Sequence, residues 1–122
     1  MPFLEVFDFE ASPDTRRKAT KAATKALCDS YDIAPEIISF YFFDIGKDSY
    51  AHNGNYGYGL EIKRIFVKLH AYRRTVELRR KAACLLTDAF AKAYEVPEKH
   101  IVIYFFDREP DEVSHSGVLT DA

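Results

Sequence analysis

The chain has no tryptophan, a single methionine and only two cysteines in its 122 residues, and no apolar run approaches the length needed to span a bilayer. Cys28 and Cys84 show no spacing that suggests a metal site. Both fall within predicted helices and are expected as ordinary buried, reduced thiols. An excess of positive charge is also missing. Seventeen Lys and Arg stand against nineteen Asp and Glu, for a net charge of -2. No global basic field would therefore recruit nucleic acid or an anionic membrane. The first ten residues hold two Glu, one Asp and no Lys or Arg, the wrong composition for a targeting peptide. A cytoplasmic protein without metal or other cofactor is the expectation.

What is present is apolar and aromatic. The chain is 48% hydrophobic, with ten Phe and eight Tyr, as a folded globular domain requires. It is also internally duplicated. At a constant shift of 63 residues, YDIAPEIISFYFFD (31–44) lies over YEVPEKHIVIYFFD (94–107), RRKA (16–19) over RRKA (79–82), and AHNG (51–54) over SHSG (114–117). The boundary between copies is set at 59/60, giving units 1–59 and 60–122. The intervening NGNYGYG reads as a turn or short connector.

Each copy has one layout. A strand comes first, FLEVFDF (3–9) or IFVKLHA (65–71). A helix follows, opened by Ser12-Pro13-Asp14 or Thr75-Val76-Glu77, which supply a capping hydroxyl and an acid near the positive end of the helix dipole. Ala19, Ala22, Ala23, Ala26 and Leu27 trace a helical stripe that Ala82, Leu85, Leu86, Ala89 and Phe90 repeat. A turn with Pro35 or Pro97 leads to a second strand, IISFYFFD or HIVIYFFD. Strand–helix–strand of this length implies a parallel, right-handed βαβ unit. The expected fold is α/β (α+β in some schemes), with tandem βαβ units forming a four-stranded sheet and two helices on one face. The second strands are nevertheless apolar on both faces: Ile38, Phe40 and Phe42 alternate with Tyr41 and Phe43. A strand apolar on both faces is buried on both. The face without helices must then pack on something outside the chain, and self-association into a homo-oligomer is the expectation.

Pro2 opens the first strand, where its missing N–H matters least. Removal of Met1 would turn Pro2 into a free secondary amine, whereas a retained Met1 would leave an amide with no basic lone pair. Taken with the duplicated βαβ units and the HSG segment at 115–117, this terminus resembles the tautomerase superfamily. More specifically it resembles members with two fused 4-oxalocrotonate-tautomerase-like units. The second half, RIFVKLHAYRRTVEL and KHIVIYFFDREPDEVSHSGVL, is similar to the cis-3-chloroacrylic acid dehalogenase group.

That resemblance implies a homotrimer, a small carboxylate substrate, and an amino-terminal proline as the catalytic group. A neutral amine near physiological pH is a good general base, and a planar guanidinium holds a carboxylate in two-pronged fashion. Pro2 is accordingly the expected base. Arg74, with Arg73 beside it, is the expected carboxylate anchor, and Arg74 matches the substrate-binding arginine of the dehalogenase group. Tyr104 matches a substrate-orienting tyrosine, although Tyr41 holds the same place in the first copy, as a packing role would have it. His115 stands where the dehalogenases place a water-activating glutamate, and His52 is its counterpart. Tyr50 matches a pocket-lining aromatic of single-unit tautomerases. Several family groups are missing: the helical histidine falls on Leu27, the first anchoring arginine on Ala71 and the mid-strand arginine on Phe40. Tautomerisation needs the least equipment, so the expected activity is proline-dependent keto–enol tautomerisation of a small enolisable 2-oxo acid. The alternatives are a non-catalytic oligomeric protein of the same fold, or a hydratase or dehalogenase of a 3-substituted acrylic acid.

Overall fold

The computed structural model describes residues 2–57 and 64–121; the unit boundary read at 59/60 lies outside the described residues. In the first copy, strand β1 (Pro2–Asp8) leads into helix α1 (Pro13–Tyr31) and strand β2 (Ser39–Asp44). The second copy repeats this as β5 (Ile65–Tyr72), α2 (Val76–Tyr94) and β6 (Ile101–Arg108). After each second strand comes a small hairpin: β3 (Ala51–His52) with β4 (Asn55–Tyr56), and β7 (Ser114–His115) with β8 (Val118–Leu119). The main sheet has the order β2-β1-β5-β6. Strands β1 and β2 are parallel, as are β5 and β6, and the two units meet antiparallel through β1 and β5. This places Pro2 opposite Ala71.

Local chemistry explains where the helices start and stop. The Ser12 hydroxyl accepts the Thr15 N–H at 3.1 Å, and Thr75 accepts that of Leu78 at 3.3 Å. Both helices end on a residue in the left-handed region, Asp32 (φ 53°) and Glu95 (φ 56°), whose N–H groups close back onto carbonyls of the last turn. The alanine stripes let the helices approach the sheet closely. Leu4, Val6, Val67 and Leu69 meet Leu27, Leu86 and Phe90 in a core sealed from solvent. Truncating Phe90 to alanine would cost about 3–5 kcal/mol on this account. Cys28 is half-buried, and Cys84 is exposed, which corrects the expectation of two buried thiols. Cys84 lies between the stripe positions Ala82 and Leu85, on the solvent side of α2.

The repeated AHNG and SHSG segments form the hairpin turns. Asn53 and Gly54 have φ of 53° and 78°, and Ser116 and Gly117 have 53° and 83°. Two successive positive φ values are what a tight hairpin turn of this hand requires. A Cβ on Gly54 or Gly117 would meet open space, so backbone conformation alone selects glycine there.

Both helices cover the same face of the sheet. The other face carries rows of aromatic side chains. Phe7 stacks on Phe43 and Phe66, Tyr104 meets Phe66 edge-on, and Phe3 meets Tyr41 edge-on. The Lys68 ammonium lies over the rings of Phe7, Phe66 and Phe106. Tyr41 and Tyr104 are 56% and 58% exposed, far more than strand aromatics in a finished core. Among the described residues no helix is long and apolar enough to cross a membrane.

Candidate active site

The antiparallel joint between the units gives the sheet two chemically different ends. At one end β1 finishes on Asp8, whose side chain is fully buried. Its carboxylate accepts two hydrogen bonds from Arg16, at 3.0 and 2.7 Å, and a third from the Tyr94 hydroxyl at 2.7 Å. Burial and the bond to Asp8 push the Tyr94 hydroxyl well above the usual tyrosine range. Its own hydrogen bonds to Asp8 raise the Arg16 guanidinium as well. A neighbouring carboxylate, Asp44, accepts the Glu10 N–H at 2.7 Å.

The other end is related by the duplication: Ala71 stands in place of Asp8, Arg79 of Arg16, Tyr31 of Tyr94 and Asp107 of Asp44. With no carboxylate on residue 71, Arg79 turns to Asp107 at 2.5 Å. Tyr31 is only 6% exposed, yet among the described residues its hydroxyl has no hydrogen-bond partner. Burial pushes that hydroxyl up, with Asp107 adding to the effect and Arg74 and Arg79 opposing it.

Pro2 lies at this second end. Its ring is fully buried on the helix side of β1, in line with Leu4, Val6 and Asp8. It also helps wall a cleft of about 780 Å³ shared with Phe3, Glu5, Ser39, Tyr41 and His115. Of the residues singled out in the sequence, Pro2 and His115 therefore face one cavity.

Arg74 is at the same end of the sheet but on the helix side. Its guanidinium donates to the Tyr72 carbonyl at 2.8 Å and lies 4.6 Å from the centre of the Tyr31 ring. Among the described residues it pairs with no carboxylate. Arg73 is exposed and engaged by Glu109 at 2.8 Å, with Asp107 at 4.0 Å. Glu109 raises Arg73 further. Tyr104 stands on the uncovered sheet face and does not line the Pro2 cleft within one chain. Tyr50 lies at the opposite end, its ring edge-on to Phe9 at 4.8 Å and its oxygen accepting the Arg64 N–H at 3.0 Å.

Three residues beside Pro2 were not signalled by any motif. His70, on the uncovered face, stacks on Phe3 at 4.3 Å and meets Glu5 through Nε2 at 2.8 Å. Its Nδ1 faces the Arg108 guanidinium at 2.7 Å. Arginine can only donate, so Nδ1 accepts and the ring proton sits on Nε2, directed at the Glu5 carboxylate. The Glu5 carboxylate is thereby held by a hydrogen bond from His70 beside Pro2. Tyr31 was likewise unmarked, although comparing the copies exposes it: the tyrosine is kept while its carboxylate partner is not.

No protein-family model and no curated protein matches the sequence. Solved structures do match. A fused 4-OT, solved as a symmetric trimer, superposes with a TM-score of 0.87 at 17% identity, covering 98% of this chain and 97% of that one. A member of the cis-3-chloroacrylic acid dehalogenase family gives 0.79 at 17% identity, with 97% and 82% covered. Macrophage migration inhibitory factor of Toxoplasma gondii gives 0.77 at 19% identity, with 96% and 98% covered. The chain thus shares the fold of these proteins over its whole length, with two βαβ units arranged as in the fused 4-OT.

Proposed function

We propose that this protein is a keto–enol tautomerase of small 2-oxo acids that uses the Pro2 nitrogen as its base and works as a homotrimer. The observation that carries the reading is the placement of Pro2, buried at the head of a central strand and walling an aromatic-lined cleft. Burial disfavours the charged form of an amine and lowers its pKa from about 8, where a free α-amino group ordinarily titrates. The neutral amine takes a proton from C3 of the substrate. The C3–H electrons form the C2=C3 double bond, and the negative charge passes to the carbonyl oxygen, which then takes a proton to give the enol. In the ketonising direction the Pro2 ammonium returns its proton to C3. An anion is held at this end by Arg74, which pairs with no carboxylate among the described residues, while Arg73 contributes long-range charge.

Trimerisation is supported by the exposed aromatic face and by the trimeric state of the fused 4-OT with this fold. Tyr104 and Tyr50, distant from the cleft of their own chain, reach a proline site only across a protomer boundary. A second reading, hydration or dehalogenation of a 3-substituted acrylic acid, is favoured by one observation: His115 lines the same cleft as Pro2.

The test is turnover of phenylenolpyruvate and 2-hydroxymuconate by protein whose intact mass shows Met1 removed. Pro2→Ala is expected to lower kcat by roughly 10²–10⁴ with an unchanged fold. A processed protein with no rate above buffer refutes the tautomerase reading. A His115→Ala variant that loses hydration of an acrylic acid while keeping tautomerisation would support the second.

A further inference from the structure

Tyr31 and Tyr94 hold the same position in the two copies, at the last turn of each helix, but in unlike chemical states. Tyr94 donates to the buried Asp8 carboxylate, which Arg16 clamps from the other side. Tyr31 is the more enclosed of the two, and among the described residues its hydroxyl has no acceptor. The acceptor is missing because the strand position that carries Asp8 in the first copy carries Ala71 in the second, a side chain that ends at Cβ. The cations remain: Arg74 stacks on the Tyr31 ring, and Arg79 stands close enough to act on its hydroxyl electrostatically. Arg79 has already turned to Asp107, but Arg74 pairs with no carboxylate among the described residues.

We propose that a ligand carboxylate completes this end as the Asp8 carboxylate completes the other, accepting a hydrogen bond from the Tyr31 hydroxyl and facing Arg74. The inference rests on the reading of Pro2 as the base, and it adds Tyr31 as a residue that binds substrate. Geometry links the two. Ala71 is the register partner of Pro2 across the antiparallel pair, and such partners have Cα atoms about 4.5–5.5 Å apart. A carboxylate lodged above Ala71 therefore places the adjoining C2–C3 unit of a 2-oxo acid beside the proline nitrogen. The Tyr31 hydroxyl suits this role, since a tyrosine is protonated at neutral pH and is a donor there. The loss of Asp8's counterpart then has a functional sense: an internal carboxylate there would occupy the substrate's place.

The experiment is calorimetric titration of the full chain with phenylpyruvate and with phenylacetone, an uncharged ketone that lacks the carboxylate, together with thermal midpoints of the ligand-free proteins. Tyr31→Phe should weaken phenylpyruvate binding roughly tenfold or more, leave phenylacetone unaffected, and raise the ligand-free midpoint, because an unsatisfied buried hydroxyl has been removed. A structural tyrosine would instead lower the midpoint. Ala71→Asp should abolish phenylpyruvate binding while leaving the midpoint equal or higher. Unchanged phenylpyruvate affinity in Tyr31→Phe, a lowered midpoint in that variant, or a wild type that binds no phenylpyruvate overturns the proposal. Tyr31-dependent binding without any turnover overturns the Pro2 reading and leaves this one standing.

Discussion

Replacing Asp8 with alanine would make the two ends of the sheet alike, and the structure sets the expected cost. The Asp8 carboxylate is sealed from solvent and accepts three hydrogen bonds, two from Arg16 and one from Tyr94. Breaking a fully buried ion pair by removing one partner costs about 3–5 kcal/mol. Two features reduce that here. Arg16 keeps 29% of its side chain in contact with solvent, and it can fall back on Asp44 as Arg79 does on Asp107. Tyr94 has no such retreat, and an orphaned buried hydroxyl costs about 1–3 kcal/mol. The net expectation is a loss of about 3 kcal/mol, read as a lowered urea midpoint with an unchanged slope. Protomer concentration must be held fixed, because association shifts apparent stability. The sharper readout is the cycle with Tyr94→Phe. In the wild type that change should cost about 1–2 kcal/mol; in the Asp8→Ala background it should cost nothing or stabilise. If Asp8→Ala costs less than about 1 kcal/mol, or Tyr94→Phe costs the same in both backgrounds, the network does not have the role assigned to it.

Stability should also fall at alkaline pH. The folded Tyr94 hydroxyl is raised above its unfolded value near 10, so its contribution is fully present below about pH 10 and is lost as pH rises beyond that; denaturation curves across this range should flatten in Tyr94→Phe. Arg74→Ala should raise KM for a 2-oxo acid roughly tenfold or more, whereas Arg73→Ala, whose side chain is exposed and held by Glu109, should change it less than about threefold. Phe43→Lys, which puts a second positive charge on the uncovered aromatic face near Lys68, should convert the proposed trimer to single chains in sedimentation; a wild type that already sediments as a single chain refutes the oligomeric reading. Cys84 should react with a thiol reagent several-fold faster than the half-buried Cys28, followed by mass spectrometry.

Much of the fold was legible because its causes are local. The capping hydroxyls of Ser12 and Thr75, the alanine-rich stripes and the strands apolar on both faces act within one turn or one strand, and each appears twice, so the copies check each other. Pro2 was read from its place behind Met1 at the head of a strand, and the need for a covered second face from the strands apolar on both sides. The short hairpins at 51–56 and 114–119 were not read, because two-residue strands carry no periodicity, although the Asn-Gly and Ser-Gly pairs at their turns were in view. The exposure of Cys84 depended on its angle to a stripe, which two residues of spacing decide.

The sequence by itself determined two βαβ units, their helix ends and a proline at the head of the first strand, since these follow from backbone and side-chain preferences over a few neighbours. Only the tertiary structure decided that the units join antiparallel through β1 and β5, which sets Pro2 opposite Ala71 and sends Tyr50 to the far end. It alone showed Tyr31 buried without an acceptor while Tyr94 has one, because whether a hydroxyl is satisfied depends on groups some forty or more residues away that share no local pattern with it.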